Sequence, residues 1–367
     1  MKKTVNNIDR SRIRSHGTQN TDRLPDGRKR LLWTVLFLVI AAATIWAVTS
    51  HSKAFSPEQF ASYIGGVSKI WLAAAVLCVF GFIIFEGEAV ITICRALDCK
   101  TGHRQGLIYS ASDIYFSGIT PSASGGQPAC AYFMIRDGIP ASTATAALLI
   151  NLALYTLSII VISLAVVILQ PSVFLSFGLL SKILIAAGYI IQCLLAAFFI
   201  LLLVKSDLLH RICRGAIRFL CRIRLVKGEA EKLEKLDSFI GEYTACSQAI
   251  RGHKKELWVA FVFNILQRIF IILVPVFVFL ASGGAFSEAA GIWAVQSYVV
   301  VGSNAIPIPG AMGVSDYIML DGYGRMMDIT NAVNLELLSR SISFYICIVL
   351  CGAIVLVKYL TQKRTGS

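Results

Sequence analysis

The chain has 367 residues, is 56% hydrophobic and only 15% charged, and carries a formal net charge of +13. A soluble domain carries nearer a quarter charged residues. Several apolar runs approach or exceed the roughly 20 residues that one bilayer crossing needs, so the composition excludes a soluble globular protein and defines an all-α, polytopic membrane bundle. The positive charge does not indicate nucleic-acid binding: it sits in the N-terminal tail and a few loops, without the interleaved aromatics of a single-strand platform.

Residues 1–30 contain nine Lys/Arg and three Asp with almost no aliphatic clusters, the composition of a disordered basic cytoplasmic tail. About thirty largely polar residues ahead of the first apolar run, and the lack of a small-residue cleavage site, do not fit a signal peptide. The first span is expected at Leu31–Thr49 and the second at about Ile70–Leu97, with Glu86 and Glu88 inside it. Segment 104–140 then carries the interruption FSGITPSASGGQP, from Phe116 to Pro128, rich in the residues least suited to a helix interior. Spans follow at about 141–169, 180–204 and 257–281.

Between the last two lies a cytoplasmic insertion, 205–256. Arg211, Arg214, Arg218 and Arg222 step by three and four opposite Leu209, Ile212, Ala216, Leu220 and Ile223, which predicts a basic amphipathic helix on the inner leaflet. A second helix, with Leu233, Leu236, Ile240 and Tyr243 on one side, is expected to pack back on it. Segment 288–325 holds a second interruption, GSNAIPIPGAMG, from Gly302 to Gly313. The last span is expected at about 335–358, so the transmembrane domain covers 31–360 and a short cytoplasmic tail, 361–367, follows.

With the tail inside, the cytoplasmic segments collect 28 Lys/Arg and the outer ones four, an asymmetry that predicts both termini in the cytoplasm of a cell-membrane protein. The first interruption then begins and ends inside, and the second begins and ends outside. Span, break and span occur twice in opposite orientation, the pattern of an inverted repeat around a midplane site. A broken helix survives at membrane depth only when buried in protein or lining a wet cavity. Half-helix N-termini there would suit an anion such as a lipid phosphate, with Gly125 and Gly126, and their counterparts Gly310 and Gly313, allowing close approach.

Arg268 and Arg340 lie inside spans, where each charge is costly. Asn264, Gln267 and Arg268 share one helix face, expected to look inward. Glu86, Glu88, Asp113 and Asp316 are the acids available to balance them, and a structural ion pair is the competing role for Arg268. Glu86 and Glu88 point to different faces and do not form a catalytic pair. The ten Cys show no CxxC pair, and Cys78, Cys193, Cys347 and Cys351, inside apolar runs, read as small apolar filler. No HExxH, GxSxG or P-loop pattern is present, so no catalytic residue, metal site or cofactor is expected.

The words ITPSASGGQPACAYFMIRDGIP (119–140), ATAALLINLALY (144–155) and IPIPGAMGVSD (306–316), with Arg340 in the last span, make the chain similar to the transmembrane domain of lysylphosphatidylglycerol synthases, a flippase-like family. The resemblance runs from about 31 to 360. The family's first motif falls on Pro121, Gly125, Gly126, Gln127, Pro128 and Arg136–Gly138. Its second falls on Pro309, Gly310, Gly313 and Asp316, with Ala311 in place of a common Gly and Asp316 in place of the usual Glu.

In the full-length enzymes a soluble domain transfers lysine from charged tRNA to phosphatidylglycerol, and the membrane part moves the product. The largest soluble segment here, about 50 residues, does not house a transferase core. The resemblance therefore implies a translocase for an anionic or aminoacylated phospholipid or a lipid-linked saccharide, without direct contact with nucleic acid. Its substrate-binding residues would be Pro121, Gly125, Gly126, Gln127, Arg268, Pro309, Gly310, Gly313, Asp316 and Arg340, with Glu86, Glu88 and Asp113 as charge partners. Two alternatives are a phosphatidylglycerol lysyltransferase, whole or as a subunit beside a separate catalytic transferase chain, and a scaffold for a glycosyltransferase. The oligomeric state stays open.

Overall fold

The computed structural model of the protein describes residues 57–120, 124–222, 229–304, 306, 311 and 313–364. The tail 1–30, the expected span Leu31–Thr49 and the candidates Pro121, Pro309 and Gly310 lie outside the described residues. The described elements are helices: α1 (Pro57–Gly66), α2 (Lys69–Ala96), α3 (His103–Ile119), α4 (Gly126–Arg136), α5 (Ala141–Leu169), α6 (Pro171–Ser176) and α7 (Leu179–Val204). They continue with α8 (Ser206–Arg222), α9 (Glu229–Ala249), α10 (Lys254–Ala281), α11 (Ala289–Ser303), α12 (Val314–Tyr323), α13 (Ile329–Arg340) and α14 (Cys347–Arg364). A π-helical turn, Ser341–Ile346, joins the last two into one rod.

Among the described residues, five helices are long and apolar enough to cross a membrane: α2, α5, α7, α10 and the continuous stretch Ile329–Thr361. The protein is an all-α integral membrane bundle, as its composition requires. α2 runs antiparallel to α10, the Ser68 N–H at its start donating to Ala281 O at the far end of α10 over 2.8 Å. Without a hydrophobic force between helices in lipid, small residues let them approach. A Cβ on Gly87 of α2 would lie only 2.5 Å from the Gly106 carbonyl oxygen of α3, so these two backbones are in direct contact.

The helices flanking each interruption fold back on one another as a hairpin. α3 stops at Ile119, and Thr120 leaves the helix with φ −101° and ψ 144°, as expected of the residue ahead of a proline. Thr120 Oγ1 then accepts the Gly125 N–H at 2.9 Å, pinning the start of α4. α4 packs back along α3 until Asp137, just past its end, accepts hydrogen bonds from Tyr109 Oη (3.0 Å) and Gln105 Nε2 (3.3 Å) on the first turns of α3. Lys358 of α14 donates to the other Asp137 oxygen at 3.1 Å. The segment therefore returns to the end of the bundle it entered from.

The second segment repeats the manoeuvre from the opposite end. Tyr323, the last residue of α12, donates to Gln296 Oε1 of α11 at 3.1 Å. Asp321 of α12 accepts the Gly178 N–H at 2.7 Å, and Tyr298 of α11 donates to Gln170 O at 3.3 Å. Gln170 and Gly178 flank α6, beyond Leu169, whereas Asp137 lies next to Ala141 at the other end of α5. The hairpins thus enter from opposite ends of the bundle.

The insertion 205–256 contains the two expected helices. α9 packs on α8 and on the start of α5, with Ser142 Oγ donating to Glu242 at 2.6 Å, Tyr243 fully buried and His210 Nε2 2.8 Å from Asp237. Arg211, Arg214 and Arg218 of α8 face outward, while Leu236 of α9 is buried.

Candidate functional site: a polar cavity between two hairpin tips

Both hairpin tips reach one cavity of about 500 Å³. Ser117, Gly118 and Gln127 line it from the first tip, and Ser303, Asn304, Ile306 and Ala311 from the second. Its charged residues are Glu86 of α2, Asp113 of α3 and Arg268 of α10, and Arg268 sits at the middle of the 28-residue α10. Phe82, Leu152, Leu195, Phe199, Phe344 and Ile348 make an apolar wall. The π-helical turn lies on this wall, presenting Ser343 and Phe344 to the cavity, in keeping with the frequency of π-bulges at functional sites.

Arg268 is the central cation. It is 8% exposed, its Nε has no hydrogen-bond partner, and among the described residues it makes no ion pair. Its guanidinium lies 4.0 Å above the Tyr155 ring and 5.7 Å from that of Phe82, a cation–π seat that leaves donors unused. Tyr155 Oη in turn donates to Asn304 Oδ1 of the second tip at 2.8 Å.

The carboxyls of Glu86 and Asp113 lie within hydrogen-bonding reach of each other and close enough to Arg268 to feel its charge. Gln267 donates to Glu86 at 3.0 Å and Gln127, at the first tip, to Asp113 at 2.9 Å. Asn264 Nδ2 donates to Asn151 Oδ1 at 3.0 Å. The predicted shared face of Asn264, Gln267 and Arg268 is buried against this polar network.

The remaining candidates fall elsewhere. Arg340 forms a second cluster: it pairs with Asp316, donates to Ser315 Oγ at 2.7 Å and lies 3.7 Å from Glu336. Its side chain is 12% exposed. Neither Arg340 nor Asp316 lines the cavity. Glu88 faces away from Glu86, as its spacing predicts, and meets His103 Nδ1 at 2.5 Å.

The half-helix N-termini are also occupied. Asp316 accepts the Gly313 N–H at 2.8 Å and caps α12, and the Asp113 carboxylate packs against Gly126 at the start of α4, where a side chain has no room. With its termini already facing aspartates, the cavity offers an anion the guanidinium of Arg268 instead.

Sequence reasoning missed Asn151, Tyr155, Gln192, Gln296 and Asn304 on the cavity wall and Glu336 beside Arg340. Each is a polar residue in or beside an apolar run, where an unpaired amide or acid costs several kcal/mol, about 2–7, and that cost is the signal that locates them.

Ala311, where the family motif carries a common Gly, adopts φ +50°. That region costs a non-glycine residue about 1–2 kcal/mol. Ala311→Gly is expected to raise the thermal midpoint in detergent, by a net gain of about 1 kcal/mol after the added chain entropy. A lowered midpoint, read by tryptophan fluorescence, would show that the tip holds Ala311 by packing instead.

Two helical hairpins meeting at a polar cavity, among helices long and apolar enough to cross a membrane, define an integral membrane protein. The model of one family, the lysylphosphatidylglycerol synthase TM region, matches residues 32–351, and the chain belongs to that family. No curated protein and no solved structure matches it. Family and fold together make it an integral membrane protein of lipid metabolism.

Proposed function

We propose that the protein translocates a lipid whose headgroup carries a phosphate between the leaflets of the cell membrane, its tails staying in lipid while the headgroup crosses through the cavity. The lipid is an anionic or aminoacylated phospholipid or a lipid-linked saccharide. The observation that carries this reading is Arg268: a buried guanidinium with an unpartnered Nε, in a cavity reached by the tips of both hairpins. A buried charge without an ion pair is expensive, and a phosphate supplies the missing acceptors. The apolar wall suits the first methylenes of the tails, and the amides of Gln192, Gln296 and Asn304 suit headgroup hydroxyls and esters. Opposed hairpins supply the alternating access that an inverted pair gives in transporters. In this topology the insertion 205–256 lies on the cytoplasmic face.

The test is reconstitution into phosphatidylcholine vesicles containing acyl-labelled phosphatidylglycerol, with the outer-leaflet label quenched chemically. The protein is expected to speed the loss of inner-leaflet label for phosphatidylglycerol and much less for labelled phosphatidylcholine. Equal, background rates for both, and for aminoacylated and glycosylated lipids, would overturn the reading.

A further inference from the structure

We propose that Glu86 and Asp113 are a proton-binding site coupled to the headgroup site, so that one proton accompanies each monoanionic headgroup across the membrane. The inference rests on the translocase reading above. Two carboxyls on different helices meet in the middle of the bundle, and both line the cavity that holds Arg268. A hydrogen bond between two carboxyls requires a proton on one of them. Each acid is also held by an amide, Glu86 by Gln267 and Asp113 by Gln127, so the pair is fixed in place in either state of charge.

The other titratable and charged groups facing the pair are Arg268 from α10, Tyr155 from α5, Cys130 from α4 and Cys347 and Cys351 from the first turns of α14. Among the described lining residues Arg268 is the one cation. The charges then balance in a simple way. One guanidinium and one singly protonated carboxyl pair sum to zero. A monoanionic headgroup against Arg268 adds one negative charge, and an unbalanced charge in a buried cavity is costly. A second proton, taken from water on the side of entry, restores neutrality, and it leaves with the lipid on the other side. No covalent bond changes. Linkage makes the effect reciprocal, so protonation favours headgroup binding as much as the headgroup favours protonation.

One-to-one symport fixes the equilibrium. A pH difference of one unit, worth about 1.4 kcal/mol, is expected to enrich the lipid about tenfold in the leaflet facing the alkaline compartment. A membrane potential alone is expected to leave the distribution even, because the loaded and empty sites are both neutral. The experiment uses the same vesicles with labelled phosphatidylglycerol, an imposed pH gradient or a potassium-diffusion potential, and protein-free vesicles as background. Asp113→Asn and Glu86→Gln are expected to bring the equilibrium ratio to about one, whatever rate they retain.

Wild-type exchange that ignores the pH gradient, follows the potential, or is driven equally by a sodium gradient overturns the coupling and leaves the translocase reading standing. No wild-type exchange of phosphatidylglycerol, nor of aminoacylated or glycosylated lipids, overturns both. The wild-type arm decides the matter even if a variant fails to fold.

Discussion

Alanine in place of Arg268 is expected to cut phosphatidylglycerol translocation by at least about 30-fold. Truncating one partner of a buried, charge-assisted contact costs about 2–5 kcal/mol, and each 1.4 kcal/mol is about a factor of ten. The loss falls on transport because the side chain makes no ion pair among the described residues and its Nε is unpartnered. What it gives up internally is its seat over Tyr155, worth about 1–2 kcal/mol. The folded protein should therefore persist, with a monodisperse elution profile and a modestly lowered midpoint. Arg268→Lys keeps the charge without the planar fork of donors and is expected to recover part of the rate. Wild-type transport in Arg268→Ala would remove the guanidinium from the mechanism altogether.

Arg340→Ala is expected to behave in the opposite way, failing first as a folded protein. Its guanidinium pairs with Asp316, which caps α12, and lies beside the buried Glu336. Breaking such a buried cluster from the cationic side strands two acids and costs about 3–5 kcal/mol, a large share of the about 5–15 kcal/mol typical of whole-protein stability. Loss of the elution peak or a large drop in thermal midpoint is the expected readout. Removing the charges together, as Asp316→Asn, Glu336→Gln and Arg340→Met, is expected to restore much of that midpoint, because no uncompensated charge then remains. An Arg340→Ala protein as stable as wild type, but without transport, would instead place Arg340 with Arg268 in headgroup binding.

These contrasting roles were invisible in the sequence, where Arg268 and Arg340 look alike: single arginines in apolar helices. What separates them is long-range pairing. Asp316 precedes Arg340 by 24 residues yet meets it because the second hairpin turns back, and Asp113 reaches Gln127 across the first tip in the same way. Local periodicity carries no record of such contacts.

The spanning helices were legible because apolar run length is itself the physical cause of a crossing. α5, Ala141–Leu169, and α10, Lys254–Ala281, fall within a few residues of their expected bounds. The interruptions were legible too, since Thr120–Pro121 and Gly313 act on the backbone locally. Whether each interrupted segment dips in and returns or makes two short crossings was not, because both give the same parity; the contacts of Asp137 with Tyr109 and of Tyr323 with Gln296 bring each segment back to the end it started from. Nor was Glu336 legible, hidden at the start of a span in NLELLSR, where an acid reads as an ordinary end residue.

Because each hairpin goes back to the end it left, it leaves the parity of crossings unchanged, and the orientation of every spanning helix is set without it. α12 has ten residues, about 15 Å of helix, half of what a roughly 30 Å hydrocarbon slab demands. Relieved of spanning that slab, these pieces answer to a different selection: they tolerate serines, glutamines and aspartates that a lipid-facing helix would exclude. The threading of this protein and the chemistry of its interior are thereby written in separate parts of the chain.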